Sequence, residues 1–494
     1  MQEACYTCRR RRIQCDRSQI PCRKCENAGL KCFEKRPVRW VQGVAIRGGM
    51  RGRSLQDNRV SSTPVGAIDM TLDSPIDGRK DFTTLAESTG QPASIPASIT
   101  DESLARLDPS ARYYLDYYNH RICWLFIVYD SEKNPLRCLI PLALRDQALL
   151  DAMLALAARH SANDEQSLVN GMGGSPASTA DWDALRFKYH AIQGLLRSIQ
   201  TTHSYQDATV ATVFLLVFLD LLESGCDRWN YHLEGAKTLM ALSSSHDSGC
   251  TVERVRKFII KQIHLIESLG ATFVRPDLLS KSPLIDESSN LLEDVVEESF
   301  LGCPEFILTA LQFFSLQRDI IANPFISEQQ PRPEALASVL EAVEDFDCRA
   351  WASALPQEST VHDTNGLTKL ARAYQLGCIL YGRRILDAVE HTQTGQDHTV
   401  SELINIITEL LQHRDLFKCI LWPITVAGLE CRGQQQRDLV LQVLNRFWQH
   451  TKCRNVPNAA RILQNYWRRT DHDHIGPSDW IFDIGRSSYD WLLI

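Results

Sequence analysis

The sequence predicts a mostly α-helical protein with a small cysteine-rich N-terminal module, a flexible linker and a large all-helical body. Three observations carry this prediction. Six of the sixteen cysteines lie within residues 5–32. Residues 41–100 are rich in Gly, Ser, Thr and Pro, and residues 101–494 repeat apolar side chains at helical spacing. A chain of 494 residues is too long for one compact core, so several domains are expected.

The N-terminal module, residues 1–40, contains two copies of the unit C-x2-C-x6-C joined by six residues. Its cysteines are Cys5, Cys8, Cys15, Cys22, Cys25 and Cys32. A lone C-x2-C pair is weak evidence of a metal site, but a duplicated unit with equal spacings indicates one. Polar residues rather than an apolar signal segment open the chain, so we expect an intracellular protein with reduced thiols. Iron–sulfur sites use other spacings.

Coordination arithmetic predicts two zinc ions for these six thiolates. A structural zinc ion takes four ligands in a tetrahedron, and the first histidine of the chain is the distant His120. Six thiolates complete two tetrahedra only if two of them bridge both ions. The internal symmetry of the spacing predicts Cys5 and Cys22 as the bridges. The module has few large apolar side chains, so we expect metal binding to supply its stability.

Positive charge is concentrated beside the cysteines. Residues 1–60 carry fifteen Lys and Arg against five Asp and Glu, a net charge of +10, so the other residues carry −17 of the total of −7. Four consecutive arginines, Arg9 to Arg12, lie on a segment that metal ligands hold at both ends. Arginine fits phosphate oxygens and the O6/N7 edge of guanine, which predicts DNA binding. The alternative is a basic loop that only keeps the cluster soluble.

The stretch CYTCRRRRIQCDRSQIPCRKCENAGLKC resembles the fungal binuclear zinc cluster, the DNA-binding domain of a large family of fungal transcription regulators. The resemblance covers residues 5–32 and every cysteine, and in this family the first and fourth cysteines bridge the two metals. It implies that the helix after the second cysteine reads a CGG-type triplet in the major groove of double-stranded DNA. The implied base contact is Arg12, and the other implied DNA-binding residues, mostly phosphate contacts, are Arg9, Arg10, Arg11 and Arg23.

Residues 41–100 are expected to form a flexible linker, because so polar a segment buries too little apolar surface to offset its ordering entropy. Many members of the family dimerise through a coiled coil directly after the cluster. Here Pro37, Gly43, Gly48, Gly49 and Gly52 exclude sustained heptads in that place. The protein is therefore expected to act as a monomer or to dimerise through its helical body. The arginines of this stretch form either a basic arm along DNA or an arm with no DNA role.

Apolar periodicity predicts an all-helical body over residues 101–494, as in the stripes of 149–157 and 439–448. The apolar run from Val213 to Leu222 contains Asp220 and is too short to span a bilayer, so no membrane partner is expected. Segments such as RWNYHLEGAKTLM resemble the all-helical regulatory domain that accompanies this zinc cluster in fungal factors. The resemblance implies that a small-molecule effector or another protein, such as a coactivator, controls activity through the body.

Two features near the C-terminus allow more than one interpretation. Asp471 to His474 are interpreted as a solvated turn rather than a metal site, because four consecutive residues do not easily converge on one ion. Residues 471–494 alternate aspartates with aromatic side chains, as transcriptional activation segments do, whereas the ending WLLI favours a helix folded back onto the body. The ten cysteines outside the module lack metal-ligand spacing and are expected to be buried free thiols.

These observations predict a nuclear, sequence-specific DNA-binding regulator of RNA polymerase II transcription with no catalytic residues. One rival is an enzyme with a zinc-bearing accessory domain. The body, however, contains no phosphate-binding glycine motif, no G-x-S-x-G and no H-E-x-x-H. The other rival is a zinc module that binds protein rather than DNA.

Overall fold

The computed structural model describes part of the chain in atomic detail. The described residues are 4–11, 13–16, 21–28, 32, 104, 106–165, 178–201, 207–226, 229–242, 250–276, 278–279, 299–323, 330–355, 363–473, 480–486 and 490–494. The chain divides into two units, residues 1–88 and 89–494, and each is described by itself. The predicted linker, 41–100, lies outside the described residues, so its character and the predicted domain bounds stay predictions.

The described residues of the first unit form two short helices, α1 (Tyr6–Arg10) and α2 (Arg23–Glu26). Each begins directly after a cysteine, Cys5 for α1 and Cys22 for α2. Among the described residues of this unit, the buried side chains are cysteines, joined by the partly buried Ala4 and Cys32. The described interior therefore consists of thiols, in line with the few large apolar side chains of the module's sequence.

The second unit is all-helical, as predicted, and the described residues contain no strand, only one isolated bridge between Cys226 and Trp491. Its first helix, α3 (Pro109–Tyr117), continues through a π-helical turn, Tyr118–Ile122, into a last α-turn, Cys123–Leu125. The helices that follow in the first half are α4 (Pro135–Cys138), α5 (Ile140–Ala143), α6 (Gln147–Asp164), α7 (Thr179–Thr201), α8 (Asp207–Glu223), α9 (Trp229–Leu242) and α10 (Cys250–Gly270).

The helices of the second half of this body complete the fold. They are α11 (Glu305–Ala322), α12 (Pro333–Glu344), α13 (Cys348–Ala354), α14 (Thr364–Glu390), α15 (Asp397–Leu410), α16 (Arg414–Phe417), α17 (Leu421–Glu430), α18 (Gln434–Thr451), α19 (Asn455–Asp473) and α20 (Trp480–Arg486). The segments with helical apolar spacing in the sequence therefore became helices. None of the described helices has the length and apolar character that a membrane span requires.

Two helices form the centre of the body. In α8 every residue from Ala208 to Leu222 is buried, Asp220 included, which explains why its apolar side chains are not confined to one face. The other central helix, α14, has 27 residues and packs against α11, α12, α13, α15 and α17. Asp363 caps its N-terminus by accepting a hydrogen bond from the backbone N–H of Gly366, and His391 ends it in the left-handed conformation with φ of 55°. The burial of α8 and the helices packed around α14 place both helices in the core.

A buried ion network joins α14 to α17 and α20. The guanidinium of Arg384 donates to both carboxylate oxygens of Glu430, at 2.8 and 2.6 Å, and to Asp387 at 2.9 Å. The indole Nε1 of Trp480 donates to Glu430 at 2.7 Å. Because charges buried in a core are stable only when paired and hydrogen-bonded, this network fixes how the three helices meet.

The described C-terminal residues belong to this core. The side chains of Trp491, Leu492, Leu493 and Ile494 are buried. The backbone N–H of Leu492 donates to the carbonyl of Gly225 at 2.8 Å, and Trp229 Nε1 donates to the carbonyl of Asp490 at 3.1 Å. The sequence allowed either an activation segment or a helix folded back onto the body. Residues 480–486 and 490–494 are folded back onto the body, and residues 474–479 and 487–489 lie outside the described residues.

The predictions for Asp471 to His474 and for the cysteines of the body have different outcomes. Asp471 is in the last turn of α19 rather than in a turn between elements, and Arg437 donates to its two oxygens at 2.7 and 2.9 Å. This pairing lowers the pKa of Asp471. The prediction of buried free thiols is confirmed for seven cysteines of the body, whereas Cys138 and Cys226 are half-buried and the side chain of Cys250 is not described.

We predict that Trp480→Ala lowers the free energy of unfolding of the body by about 3–5 kcal/mol, because it opens a large cavity and removes a donor from Glu430. Denaturant unfolding of the full chain, followed by circular dichroism, measures this. Tyr231→Ala is the matched control, since this aromatic side chain on α9 is 71% exposed. Equal unfolding midpoints for the Trp480→Ala variant and the wild type would show that the C-terminal helix is not part of the core.

Candidate metal centre and nucleic-acid interface

The first unit brings all six predicted cysteines together. They form two groups of four, in each of which the sulfur atoms lie within 4.8 Å of one another. One group contains Cys5, Cys8, Cys15 and Cys22, and the other contains Cys5, Cys22, Cys25 and Cys32. Among the residues that the structure describes, no other set of His, Cys, Asp or Glu side chains is placed to hold a metal ion.

The two groups share Cys5 and Cys22, whose sulfur atoms are 3.8 Å apart. With Zn–S bonds of about 2.3 Å, two thiolates on one tetrahedral zinc lie about 3.8 Å apart. The Cys8–Cys22 and Cys5–Cys25 separations, 3.7 and 3.8 Å, fit this edge equally well. Cys8 and Cys25 are themselves 3.9 Å apart, so their own separation does not divide them. They belong to different groups because Cys15 lies in the group of Cys8 and Cys32 lies in the group of Cys25.

Each C-x2-C pair is positioned by the first turn of a helix. Cys5 is the N-cap of α1, and its sulfur accepts a hydrogen bond from the backbone N–H of Cys8 at 3.4 Å. In the second C-x2-C-x6-C repeat, Cys22 is the N-cap of α2, and its carbonyl accepts a hydrogen bond from the backbone N–H of Cys25 at 2.9 Å. Residues three apart lie on one helix face, so the spacing alone directs both thiols of a pair toward the same ion.

The electrostatics of the cluster distinguish the shared cysteines from their neighbours. Burial opposes ionisation of Cys5 and Cys22, but hydrogen bonds from the backbone of Cys8 and Cys25 and from nearby thiols outweigh it and lower the pKa of both. Burial and the neighbouring thiols instead raise the pKa of Cys25 to about 12 and that of Cys8 further. The helix N-termini thus favour negative charge at the two shared sulfur positions.

Positive side chains lie on the outer surface of the same two helices. Arg9 on α1 and Arg11 at its C-cap are exposed, as is Arg23 on α2. Sequence reasoning missed Lys24, which is exposed beside Arg23; its position between two cysteines of the second C-x2-C pair was the available signal. The side chain of Arg10 and the whole of Arg12, the predicted base contact, lie outside the described residues.

Comparisons with known proteins identify both units. Residues 3–40 match the family model of the fungal Zn(2)-Cys(6) binuclear cluster domain, and residues 113–494 match that of the fungal specific transcription factor domain. The acriflavine sensitivity control protein acr-2 of Neurospora crassa is 24% identical over 567 aligned positions, which cover 95% of this chain and 92% of that protein. No solved structure matches the chain. Members of the cluster family bind two zinc ions and DNA, which agrees with the chemistry of six clustered thiols.

We predict that the full chain contains two zinc ions, and that Cys22→Ser loses more zinc than Cys32→Ser. A change at Cys22 removes a ligand from both groups of four, whereas a change at Cys32 removes one from a single group. Metal content per chain, measured by mass spectrometry after gel filtration, checks this. The matched control is Cys138→Ser, a half-buried cysteine of the body, which should keep both ions. Equal zinc loss at Cys22 and Cys32 would contradict a shared ligand.

Proposed function

The chain belongs to the family of fungal specific transcription factors and is a DNA-binding transcription regulator; from this premise we propose that it controls RNA polymerase II genes in the nucleus by reading CGG-type triplets. The observation that carries the proposal is the pair of four-cysteine groups interlocked through Cys5 and Cys22, with exposed arginines on the helices that hold them. An enzyme is excluded by the family, which is not catalytic.

In this proposal, all six cysteines are zinc ligands. Cys8 and Cys15 bind one ion, Cys25 and Cys32 bind the other, and Cys5 and Cys22 bridge both. Six thiolates and two Zn²⁺ ions sum to a charge of −2. Arg9, Arg11 and Arg23 with Lys24 already exceed this charge, so the metal-bound module keeps an outward positive surface.

The arginines then divide into two roles. Arg9, Arg10, Arg11 and Arg23 bind phosphates and set the orientation of the module on the duplex, since contacts to the DNA backbone position a protein without reading sequence. Arg12 follows the end of α1 and reads the base pair edge in the major groove, where an arginine fork is bidentate to guanine. A rigid metal frame beside α1 supports this proposal, because it lowers the entropy lost when the side chains bind.

The helical body is proposed to control what the zinc module does on DNA. Its long buried helices and paired internal charges form a rigid domain that contains most of the chain. We propose that a small-molecule effector or a coactivator binds this body and changes activity at the promoter. Regulation through one domain and DNA recognition through another fits the two matched families.

The full chain, used to select from random duplex DNA, tests the proposed specificity. We expect enrichment of CGG-type triplets, either single or as two copies at fixed spacing. A single triplet indicates recognition by a monomer, and a pair indicates a dimer. Enrichment of an unrelated sequence would contradict the CGG proposal, and no enrichment at all would contradict sequence-specific recognition by the module.

We predict different effects for two arginine changes. Arg9→Gln should weaken binding equally on CGG and scrambled duplexes and lower the slope of log affinity against log salt by about 0.9, because one phosphate contact is lost. Arg12→Gln should reduce the preference for CGG by about 1–3 kcal/mol. Fluorescence anisotropy of the full chain over a salt series measures both, and Arg349→Gln, an exposed arginine of the body, is the matched control. A uniform loss from Arg12→Gln would assign this residue to phosphate instead.

A further inference from the structure

Helix α7 exposes a row of large apolar side chains along its outer face. The row contains Trp182, Leu185, Tyr189, Ile192, Leu196 and Ile199; Ile192 is half-buried and the others are exposed. Trp182 is 51% exposed and Tyr189 is 55% exposed. On helix α3, whose Tyr114 packs edge-on against Phe187 of α7, Tyr113 is 56% exposed. We call these seven residues the α7 surface.

The α7 surface stands out within the body. Large exposed apolar side chains elsewhere among the described body residues are Tyr231 and Phe306, which are on other helices. Single exposed apolar residues are ordinary, whereas a contiguous patch marks an interaction site. The concentration of exposed apolar side chains on α7 therefore indicates a binding partner whose shape matches this face.

The body holds α7 so that this face points outward. The opposite face buries Ala184, Phe187 and Ala191. Asp181 at one end accepts from Arg159 at 2.6 Å, and Lys188 further along donates to Glu223 at 2.5 Å. A Cβ on Gly194 would lie 2.7 Å from the Cβ of Ala148, so α7 contacts α6 too closely to rotate. The row cannot turn inward to bury itself.

The spacing of the row is that of a coiled-coil seam. Its six positions follow one another at intervals of three, four, three, four and three residues. Such a 3–4 repeat keeps apolar side chains on one stripe that packs against another helix with the same repeat. The stripe runs for 18 residues, or about 27 Å at 1.5 Å per residue. Its shape fits a helix of equal length and equal repeat.

We propose that a second copy of this chain covers the α7 surface, with its own α7 packed antiparallel across a two-fold axis. In this arrangement Trp182 lies opposite Ile199 of the second copy, Leu185 opposite Leu196, and Tyr189 opposite Ile192. Each aromatic ring then contacts an aliphatic side chain, so the opposing pairs of side chains have similar total volumes along the interface. Parallel packing would place Trp182 against Trp182 and leave other layers with two small side chains.

Polar side chains flank the row of apolar residues. The positions beside the row on its solvent side are Arg186, Gln193 and Gln200. Equivalent flanking positions face each other across an antiparallel pair, so glutamines separate the two arginines. Arg197 lies on the same flank, and these polar side chains form the rim expected around an apolar contact.

The area of the surface is sufficient for a dissociable dimer. A fully buried aromatic side chain covers about 150–250 Å², so the half-exposed Trp182, Tyr189 and Tyr113 each present roughly 100 Å². With the aliphatic members the patch reaches on the order of 500 Å² per copy, or about 1,000 Å² for two copies. This is the lower limit for a specific interface, so the dimer should depend on concentration.

Sedimentation velocity of the full chain over a range of micromolar concentrations tests the proposal. We expect the wild type to shift from monomer to dimer, and Leu185→Glu to weaken the dimer at least tenfold because it buries a charge opposite Leu196. Tyr231→Glu, on the exposed surface of α9, is the matched control and should dimerise as the wild type does. Circular dichroism and thermal unfolding establish that each variant is folded.

A double variant tests the direction of the pairing. Antiparallel packing places residue 185 opposite residue 196, so Leu185→Glu with Leu196→Lys creates two complementary pairs and should restore dimerisation relative to either single variant. Parallel packing would place like charges together and give no rescue. A monomeric wild type at every concentration, a dimer insensitive to Leu185→Glu, or a double variant that stays monomeric would each overturn the proposal.

Discussion

The sharing of Cys5 and Cys22 between two groups of four cysteines is the constraint on which the DNA-binding part of this protein depends. These sulfur atoms are 3.8 Å apart and lie at the N-caps of α1 and α2, so one pair of atoms joins both helices. Among the described residues of the module, the buried cluster consists of cysteines, so no apolar core is seen there to hold the helices without these thiols. The exposed arginines acquire a fixed direction only because the thiols behind them are fixed.

The body, in contrast, is stabilised by a large apolar core. Its helices bury extensive apolar surface, and a buried charge such as Arg384 is paired within the chain, with Asp387 and Glu430. Removing a partner from such a network leaves a buried charge unpaired, which is more unfavourable than losing a surface pair. The protein thus combines a metal-dependent head with a body that depends on packing, and the two respond to different perturbations.

The sequence predicted that these six cysteines come together, because a metal site depends on ligand type and spacing, and both can be read from the sequence. Helical periodicity likewise predicted the helices of the body. It did not reveal which apolar residues face outward: Leu185 and Phe187 look alike in the sequence, yet only Phe187 is buried, since the contacts of α7 decide its rotation. The role of Trp480 was equally hidden, because its partner Glu430 lies fifty residues away in the chain.

The packing of residues 490–494 against Trp229 and Gly225 also sets an order of events during synthesis. The zinc module leaves the ribosome roughly 450 residues before these core residues do, which is about 20–90 s at ordinary elongation rates. The head can therefore bind its metal before residues 490–494 pack beside α9. During that interval the nascent chain presents a DNA-binding head before the core around Trp229 is complete.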